Sequence, residues 1–322
     1  MRLTKRRDVS ALLAISALPA RASVPSTWPD GPVRIVTPSP PGSSVDAVAR
    51  LLADGLSRRY GQPWFVENRP GADGVVAAQA FVLSRPGSAL LFSAAAIYTA
   101  APLMFAPLLY DTVTELVPIA APVTDFIGFV VAPDAAARTL ADFLAHAKAM
   151  PQRLTWASAP GAYLILNAYF RANGIDMTYV SYRSLTTMLP DVAAGRLDMA
   201  YVPLAPALPM VRATRLRLLA VSNAERAAAA PEVPTAHEAG FPELELEGFP
   251  GLFGWRGMPL PLREEIAAHM RDIVADPVVV ARLLALGLEP RPATPVRFEA
   301  DLRRVGALYA EAARRYGARP PD

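Results

Sequence analysis

The chain has 322 residues and contains no cysteine and only three histidines. The missing cysteines exclude disulfide bonds and thiolate chemistry, although they do not identify the cellular compartment. His146, His237 and His269 are isolated from one another in the sequence, and we interpret each as a surface or packing residue. The sequence therefore predicts no metal site and no cofactor.

The chain has no excess of positive charge once the N-terminus is set aside. Residues 1–22 have the pattern of an export signal peptide: a basic start, an apolar run from Val9 to Leu18 too short to span a bilayer, and a small-x-small cleavage site ending at Ala22. Subtracting this segment's net charge of +4 from the formal +3 of the whole chain leaves −1. We therefore expect an exported, periplasmic protein with no nucleic-acid partner. The Arg6-Arg7 pair leaves the export route open.

What remains is an alternation of strand-like and helix-like segments, which predicts an α/β protein with mainly parallel strands. Without the leader, the chain is long enough to divide into two domains. The periodicity fades between Asp111 and Val123, and a new alternation opens at Phe126. We therefore place one domain at 23–122 plus 223–322 and a second at 123–222.

The most informative stretch runs from Val33 to Tyr60. A short β-branched strand ends in a turn rich in proline, glycine and serine, and an amphipathic helix follows until Gly61. Ser43 and Asp46 have capping-box spacing, so we expect the amides of Ser43, Ser44 and Val45 to point out of the helix start. Free amides and the helix dipole together favour an anion. The alternative is a tight connection with no ligand role.

This turn resembles the first ligand loop of the Bug-type solute receptors of tripartite tricarboxylate transporters, P-x-x-P-G-G-x-x-D, with Ser43 replacing the second glycine. Two further signatures match: E-N-R-P-G-A-x-G at 67–74 and P-D-V-P-T-x-x-E-x-G at 231–240. The resemblance covers essentially the whole chain after the leader. It implies a two-domain periplasmic-binding-protein-like (type II) fold with an interdomain ligand cleft. We interpret the turn at 67–74 as a rigid structural turn, in which Arg69 shapes its domain and does not touch the ligand.

The turn geometry recurs in the second domain, where a strand runs into Ser158 and a helix begins near Ala162. There the family's A-S-S-G-x-G-T-S is less complete, because Tyr163 and Leu164 replace its hydroxyl residues, and Val202 stands where relatives often have aspartate. The implied ligand-binding residues are Pro41, Gly42, Ser43, Ser44, Val45, Asp46, Ser93, Ser158, Gly161, Ala162, Tyr163, Tyr182, Arg183 and Tyr201. The three tyrosines could instead be core residues, and Arg183 could instead form a surface salt bridge.

These implied features predict a receptor, acting as a monomer without a cofactor, that captures a small organic carboxylate and delivers it to membrane transporter subunits. Because Val202 cannot hold an ammonium group, and because Tyr163 and Leu164 provide apolar and aromatic walls in place of hydroxyls, a monocarboxylate or an aromatic or aliphatic carboxylate resembling nicotinate or benzoate is favoured over aspartate, glutamate or citrate. An orphan receptor that signals to a sensor kinase shares this binding chemistry. A secreted hydrolase using Ser158 or Ser43 is the third reading, although the chain has no G-x-S-x-G elbow.

Overall fold

The computed structural model describes residues 28–105, 107–158, 160–182 and 185–318, so the predicted leader and Arg183 lie outside the described residues. The strands are β1 (Val33–Thr37), β2 (Trp64–Asn68), β3 (Ala89–Ala94), β4 (Val117–Ala120), β5 (Val123–Asp125), β6 (Ile127–Val131), β7 (Thr155–Ser158), β8 (Thr178–Tyr179), β9 (Met199–Pro203), β10 (Arg217–Val221), β11 (Pro250–Gly254) and β12 (Leu288–Pro290). The helices are α1 (Ser44–Tyr60), α2 (Val75–Val82), α3 (Ala96–Thr99), α4 (Ala101–Met104), α5 (Thr112–Glu115), α6 (Leu140–Ala149), α7 (Pro160–Ala172), α8 (Leu185–Ala193), α9 (Leu204–Arg212), α10 (Leu260–Ala275), α11 (Pro277–Ala285) and α12 (Pro295–Tyr316).

The strands form two five-stranded sheets with the same topology. The first sheet has the order β2-β1-β3-β11-β4 and the second has the order β8-β7-β9-β6-β10. In each sheet the first three strands are parallel, and the remaining two pairings are antiparallel. Strand β7 therefore occupies the same place in its sheet as β1 does in the other. The small third sheet pairs β12 with β5.

In the first sheet, β2 lies on one side of β1 and β3 lies on the other. In the second sheet, β8 and β9 flank β7 in the same way. The chain therefore reverses its direction of winding at β1 and at β7, and such a place is called a topological switch point. Open α/β sheets bind ligands at the carboxyl ends of strands at such points. The turns after β1 and β7 are the two turns that the sequence singled out.

The strand and helix predicted within 33–60, and the strand that runs into Ser158 before a helix, are confirmed. The expectation of mainly parallel strands is wrong. The antiparallel pairings come from β11 in the first sheet and β6 in the second. Strand β11 begins with Pro250 and includes two glycines, a composition that gives no strand signal. Only its neighbours across the sheet define it.

Helices cover both faces of the first sheet. Ile35 and Leu90 point to the face covered by α1 and α10, where Leu52 and Ile266 are wholly buried. Val36 and Leu91 point to the opposite face, which is covered by α2 and α12. The core on this second face continues into the second sheet, where it includes Trp156 and Tyr163. No helix within the described ranges is both long and apolar enough to cross a membrane.

Where the chain crosses between the two sheets, the segments that contain Asp125 and Gly248 pack so closely that position 248 has no room for a side chain. The amide of Asp125 donates to the carbonyl of Gly248 at 2.8 Å, and a Cβ added to Gly248 would lie 2.4 Å from the carbonyl oxygen of Asp125. On the second-sheet side, Ser222 Oγ donates to the Leu246 carbonyl at 2.8 Å, and the Ile127 amide donates to Asn223 Oδ1 at 3.0 Å. These bonds join the crossing segments into one unit.

The side chain of Asp125 is buried at this crossing. Its Oδ1 has no partner within the described residues, and burial raises the pKa of this carboxyl to about 7. A carboxylate in this position is costly because nothing replaces its lost hydration. The crossing therefore carries a group that favours the protonated state.

Candidate functional site

The turn after β1 is closed by its own hydrogen bonds. The side chain of Ser43 caps α1 by accepting from the Asp46 amide at 3.3 Å, as predicted. The reciprocal bond of a capping box goes elsewhere, because the Asp46 carboxylate accepts from the Gly42 amide at 2.9 Å. The Ser43 amide donates to the Pro40 carbonyl at 3.2 Å, so the expectation that it points out unpaired is wrong.

Two predicted donors remain available at the start of α1. Within the described residues, no acceptor pairs with the amides of Ser44 and Val45. Gly42 takes a φ of +83° with open space around it, a conformation that permits the sharp entry into the helix. The candidate anion cradle therefore has two available amides where the sequence predicted three. Both lie at the positive end of a 17-residue helix.

Asp46 organises the turn. Its side chain is 2% exposed and accepts from the Gly42 amide, from Asn68 Nδ2 at 2.7 Å and from the Arg50 guanidinium at 2.9 Å. Burial opposes the charge, but the hydrogen bonds from Arg50, Asn68 and Gly42 outweigh it and hold the pKa of this carboxyl below its usual value. Asp46 thus shapes the cradle, and Arg50 balances its charge.

The second signature turn, residues 67–74, packs beside the first. Asn68 Nδ2 also donates to the Ser39 carbonyl at 2.8 Å, which joins the two turns. Arg69 pairs with Glu67 at the edge of the sheet, which agrees with the predicted shaping role. A Cβ added at Gly74 would lie 3.3 Å from Pro38 Cγ and 3.4 Å from Ile97 Cδ1. Three loops of the first sheet therefore meet at the carboxyl ends of its parallel strands.

The corresponding turn of the second sheet leads from Ser158 into α7. Ser158 is 2% exposed, and its Oγ makes no close hydrogen bond within the described residues. Burial raises the pKa of Tyr179, and a weaker interaction of the Tyr179 hydroxyl with Ser158 partly offsets that rise. Gly161, in the first turn of α7, lies against the first domain: a Cβ there would be 2.9 Å from Ala96 Cβ and 4.0 Å from the Tyr309 hydroxyl. The start of α7 therefore faces the loops of the first sheet, as the predicted cleft requires.

Aromatic packing surrounds this second turn. Tyr163 is 4% exposed, stacks on Trp156 with ring centroids 5.8 Å apart, and meets Tyr179 edge to face at 4.7 Å. Ala162 is also buried. The structure thus places Tyr163 in the core, the alternative that the sequence left open for it.

Two further tyrosines have internal partners. The Tyr201 hydroxyl donates to Ser222 Oγ at 2.7 Å, and its ring is 1% exposed. The Tyr182 hydroxyl donates to Asp191 at 2.8 Å; burial and this carboxylate raise the pKa of Tyr182 to about 12. Ser93 is buried on β3 opposite Gly251. These three residues serve the scaffold in this structure.

Val202 does not line an open wall of the cleft. It is fully buried and packs in the cluster formed by α8 and α9, with Leu189 and Leu208. The substitution that argued against an ammonium group in the ligand therefore fills the core of the second domain. A group that contacts the part of the ligand remote from the α1 cradle must therefore be another residue.

The sequence reasoning missed Asp73, which occupies the variable position of the second signature turn. Asp73 has a φ of +50° and follows Ala72 at +42°, so two consecutive residues other than glycine take the left-handed conformation. Burial raises the pKa of the Asp73 carboxyl, and its charge contributes to raising the pKa of Tyr179 on the second sheet. The available signal was an aspartate in a glycine-flanked turn next to the candidate anion loop.

The described residues contain no candidate metal site, and neither candidate nucleophilic serine is bonded to a histidine. No group of three or more His, Asp or Glu side chains is placed there to hold a metal ion. His237 lies 3.5 Å from Glu245, and His269 packs its ring against Tyr60. No hydrogen bond within the described residues joins Ser43 or Ser158 to a histidine.

Sequence comparison identifies the family. The family model for the tripartite tricarboxylate transporter family receptor matches residues 48–299. A UPF0065 protein of Bordetella bronchiseptica is 33% identical over 283 residues, which are 86% of this chain and 82% of that protein. A UPF0065 protein from the tcbD-tcbE intergenic region of Pseudomonas sp. strain P51 is 30% identical over 300 residues, covering 90% of this chain and 88% of that one.

Solved structures show the same fold. The R. palustris protein Rpa4515 with adipate has a TM-score of 0.80 at 26% identity and covers 90% of this chain and 98% of its own. MatC from Rhodopseudomonas palustris with bound malate has a TM-score of 0.77 at 26% identity, with 88% and 99% covered. These neighbours confirm the predicted α/β, two-domain periplasmic-binding-protein-like fold. The chain belongs to the tripartite tricarboxylate transporter receptor family, whose Bug-type members its turns resemble.

Proposed function

We propose that this protein is a periplasmic receptor that captures a small organic carboxylate between two domains and delivers it to a membrane transporter of the tripartite tricarboxylate type. The domains are 23–122 plus 223–322 and 123–222, residues 1–22 are the export signal, and the receptor acts as a monomer. The membership of the family supports this role. The adipate and malate bound to the two neighbours support a carboxylate ligand.

One observation carries the proposal: two equivalent turns, at the switch points of two sheets, each hold polar groups without a close partner within the described residues, and Gly161 of the second turn packs against Ala96 of the first domain. The first contributes the Ser44 and Val45 amides, and the second contributes Ser158 Oγ. Each exposed helix-terminus contact contributes about 0.3–1 kcal/mol, and up to about 2 kcal/mol when partly buried, so several must converge on one anion. Closure of the domains would exclude water and strengthen each of them.

A receptor role is better supported than a role as a serine hydrolase. A serine nucleophile needs a base within hydrogen-bond reach, and neither Ser43 nor Ser158 has a histidine partner within the described residues. Ser43 Oγ is already committed to the helix cap. An esterase assay on the wild type and on Ser158→Ala tests this directly, since turnover that the substitution abolishes would contradict the receptor role.

Calorimetric titration with a carboxylate series that includes adipate, malate, nicotinate and benzoate tests the function. We expect at least one member to bind and to raise the unfolding temperature, because a ligand at a hundred times its Kd contributes about 2.7 kcal/mol. Gly42→Pro removes the donor to Asp46 and forbids the φ of +83°. Unchanged affinity in that variant, with its fold shown intact by circular dichroism, would place the anion site elsewhere.

A further inference from the structure

The two chain segments that join the sheets contain buried polar atoms without hydrogen-bond partners. The outward segment, residues 121–126, runs from β4 to β6, and the return segment, residues 222–249, runs from β10 to β11. Asp125 Oδ1 and Asn223 Nδ2 have no partner within the described residues, although the two residues are only 9% and 3% exposed. Most buried polar groups in proteins are hydrogen-bonded, so these two atoms are exceptions.

Both side chains lie where the sheets are joined. The Asp125 amide donates to the Gly248 carbonyl of the return segment at 2.8 Å, and Leu288 of β12 lies opposite Asp125. Asn223 Oδ1 accepts from the amide of Ile127, the first residue of β6, at 3.0 Å. Any change in the angle between the sheets must bend these two segments, so Asp125 and Asn223 belong to the hinge.

The charged residues on the elements beside Asp125 have partners of their own, and β6 and β11 carry none. Glu289, on β12, accepts from a backbone amide at 2.7 Å. Glu247 of the return segment pairs with Arg291 at 3.4 Å and with a second arginine, on α12, at 3.7 Å. Arg291 also pairs with Asp301 at 2.7 Å. Burial, and not a neighbouring charge, therefore raises the pKa of the Asp125 carboxyl.

From this arrangement we propose that the crossing is a proton-sensitive hinge. Protonated Asp125 stabilises the arrangement in which the domains meet at Gly161, and ionised Asp125 favours one in which the crossing bends and the carboxylate is hydrated. The reason is that burial costs a carboxylate far more than it costs the neutral acid. A ligand bound between the domains stabilises their contact, so binding takes up a proton, and this consequence rests on the proposed function.

A test without ligand uses the absence of cysteine from the chain, which lets two introduced cysteines carry the only spin labels. Leu83→Cys and Lys148→Cys place one label at an exposed position of each domain. Double electron-electron resonance between pH 5.5 and 8 should show separated domains gaining on joined ones by up to about tenfold per pH unit, levelling off above about 7. Small-angle X-ray scattering should show the radius of gyration rising over the same range.

Asp125→Asn is the matched variant, because asparagine is uncharged and nearly isosteric. It should keep the domains joined at every pH in this range, with its fold checked by circular dichroism. Asp125→Ala, which also removes the charge, provides a second variant in case asparagine prevents folding. Asp134→Asn, at an exposed aspartate of the second domain, should retain the pH dependence of the wild type.

Proton uptake tests the link to the ligand. Calorimetric titration with each of adipate, malate, nicotinate and benzoate that binds, at pH 6.5 in buffers of different ionisation enthalpy, counts the protons exchanged. We expect the wild type and Asp134→Asn to take up a large fraction of one proton per ligand. Asp125→Asn should take up none, because the group that titrates is gone.

The outcomes separate the two proposals. Label distances and a radius of gyration that stay constant with pH, or that change equally in Asp125→Asn, would overturn the hinge while carboxylate capture stands. Binding without proton uptake would also overturn it. If none of the four carboxylates binds, carboxylate capture fails, and the label distances still decide the hinge.

Discussion

The two turns that face each other across the cleft occupy equivalent places in their sheets but are held by different forces. The turn after β1 is built from charge and hydrogen bonds, with Asp46 accepting from Gly42, Asn68 and Arg50. The turn after β7 is built from packing, with Tyr163 stacked on Trp156 and Gly161 pressed against Ala96. Equivalent topology therefore does not imply equivalent sensitivity: the first turn should respond to charge and the second to volume.

The largest effect is expected from added volume at Gly161. In Gly161→Val, the new side chain would meet Ala96, whose Cβ lies 2.9 Å from the position of an added Cβ. It should hold the domains apart and weaken carboxylate binding by roughly a hundredfold or more. Calorimetry measures the affinity, and small-angle X-ray scattering should show a larger radius of gyration.

Gly174→Val is the matched control, because Gly174 also lies on the second domain, beyond α7, and has open space around it. Its φ of +67° predicts a loss of stability without a loss of affinity. Equal affinity losses in both variants would mean that contact between the domains does not depend on Gly161.

Asp125, in the segments that cross between the sheets, contrasts with Asp46, because its Oδ1 has no hydrogen-bond partner within the described residues. Asp125 has a folded pKa of about 7 against a usual value of 3.8, so the folded protein binds a proton more tightly than the unfolded chain does. Its contribution to stability is therefore full below pH 3.8 and is lost as pH rises towards about 7. Asp125→Asn should remove this loss, which is on the order of 4 kcal/mol in the free energy of unfolding.

Urea unfolding of the wild type and Asp125→Asn at several pH values measures this difference. Asp134→Asn serves as the exposed control and should leave the pH profile unchanged. If the wild type and Asp125→Asn show the same dependence of stability on pH between pH 4 and 7, the buried carboxyl obtains compensating donors.

Asp46 should show the opposite pH dependence. Its folded pKa is lowered, so the folded protein binds a proton less tightly than the unfolded chain does. Its contribution is present above pH 3.8 and is lost as pH falls through the lower folded value. Asp46→Asn should cost about 1–3 kcal/mol at neutral pH and flatten the acid limb of the unfolding profile. An unaltered acid limb would show that charge does not hold the first turn.

The smallest effects are expected from substitutions of two buried serines, Ser158 and Ser222. Ser158 Oγ has no close hydrogen-bond partner within the described residues, whereas Ser222 Oγ accepts from the Tyr201 hydroxyl and donates to the Leu246 carbonyl at the crossing. Ser158→Ala should leave stability unchanged and weaken binding roughly tenfold. Ser222→Ala should cost about 1–3 kcal/mol and leave affinity nearly unchanged. Thermal unfolding and calorimetry on both variants check this, and reversed effects would exchange their roles.

The sequence predicted features that depend on neighbouring residues. The cap of α1 at Ser43 is confirmed, because a side chain and an amide three residues away define it. The strand β11 and the antiparallel pairings could not be predicted, because partners far along the chain determine them. The position of Val202 in the core depends on packing between distant segments.

The central claim is that a carboxylate bridges the two turns. A crystal structure of the protein purified without added ligand, or soaked with the tightest carboxylate from the titrations, tests it most directly. We predict density between the domains, with one carboxylate within hydrogen-bond distance of the Ser44 and Val45 amides and a polar ligand atom at Ser158 Oγ. A ligand bound instead in the separate surface cavity between Arg138 and Arg217 on the second domain, with the cleft empty, would contradict the account.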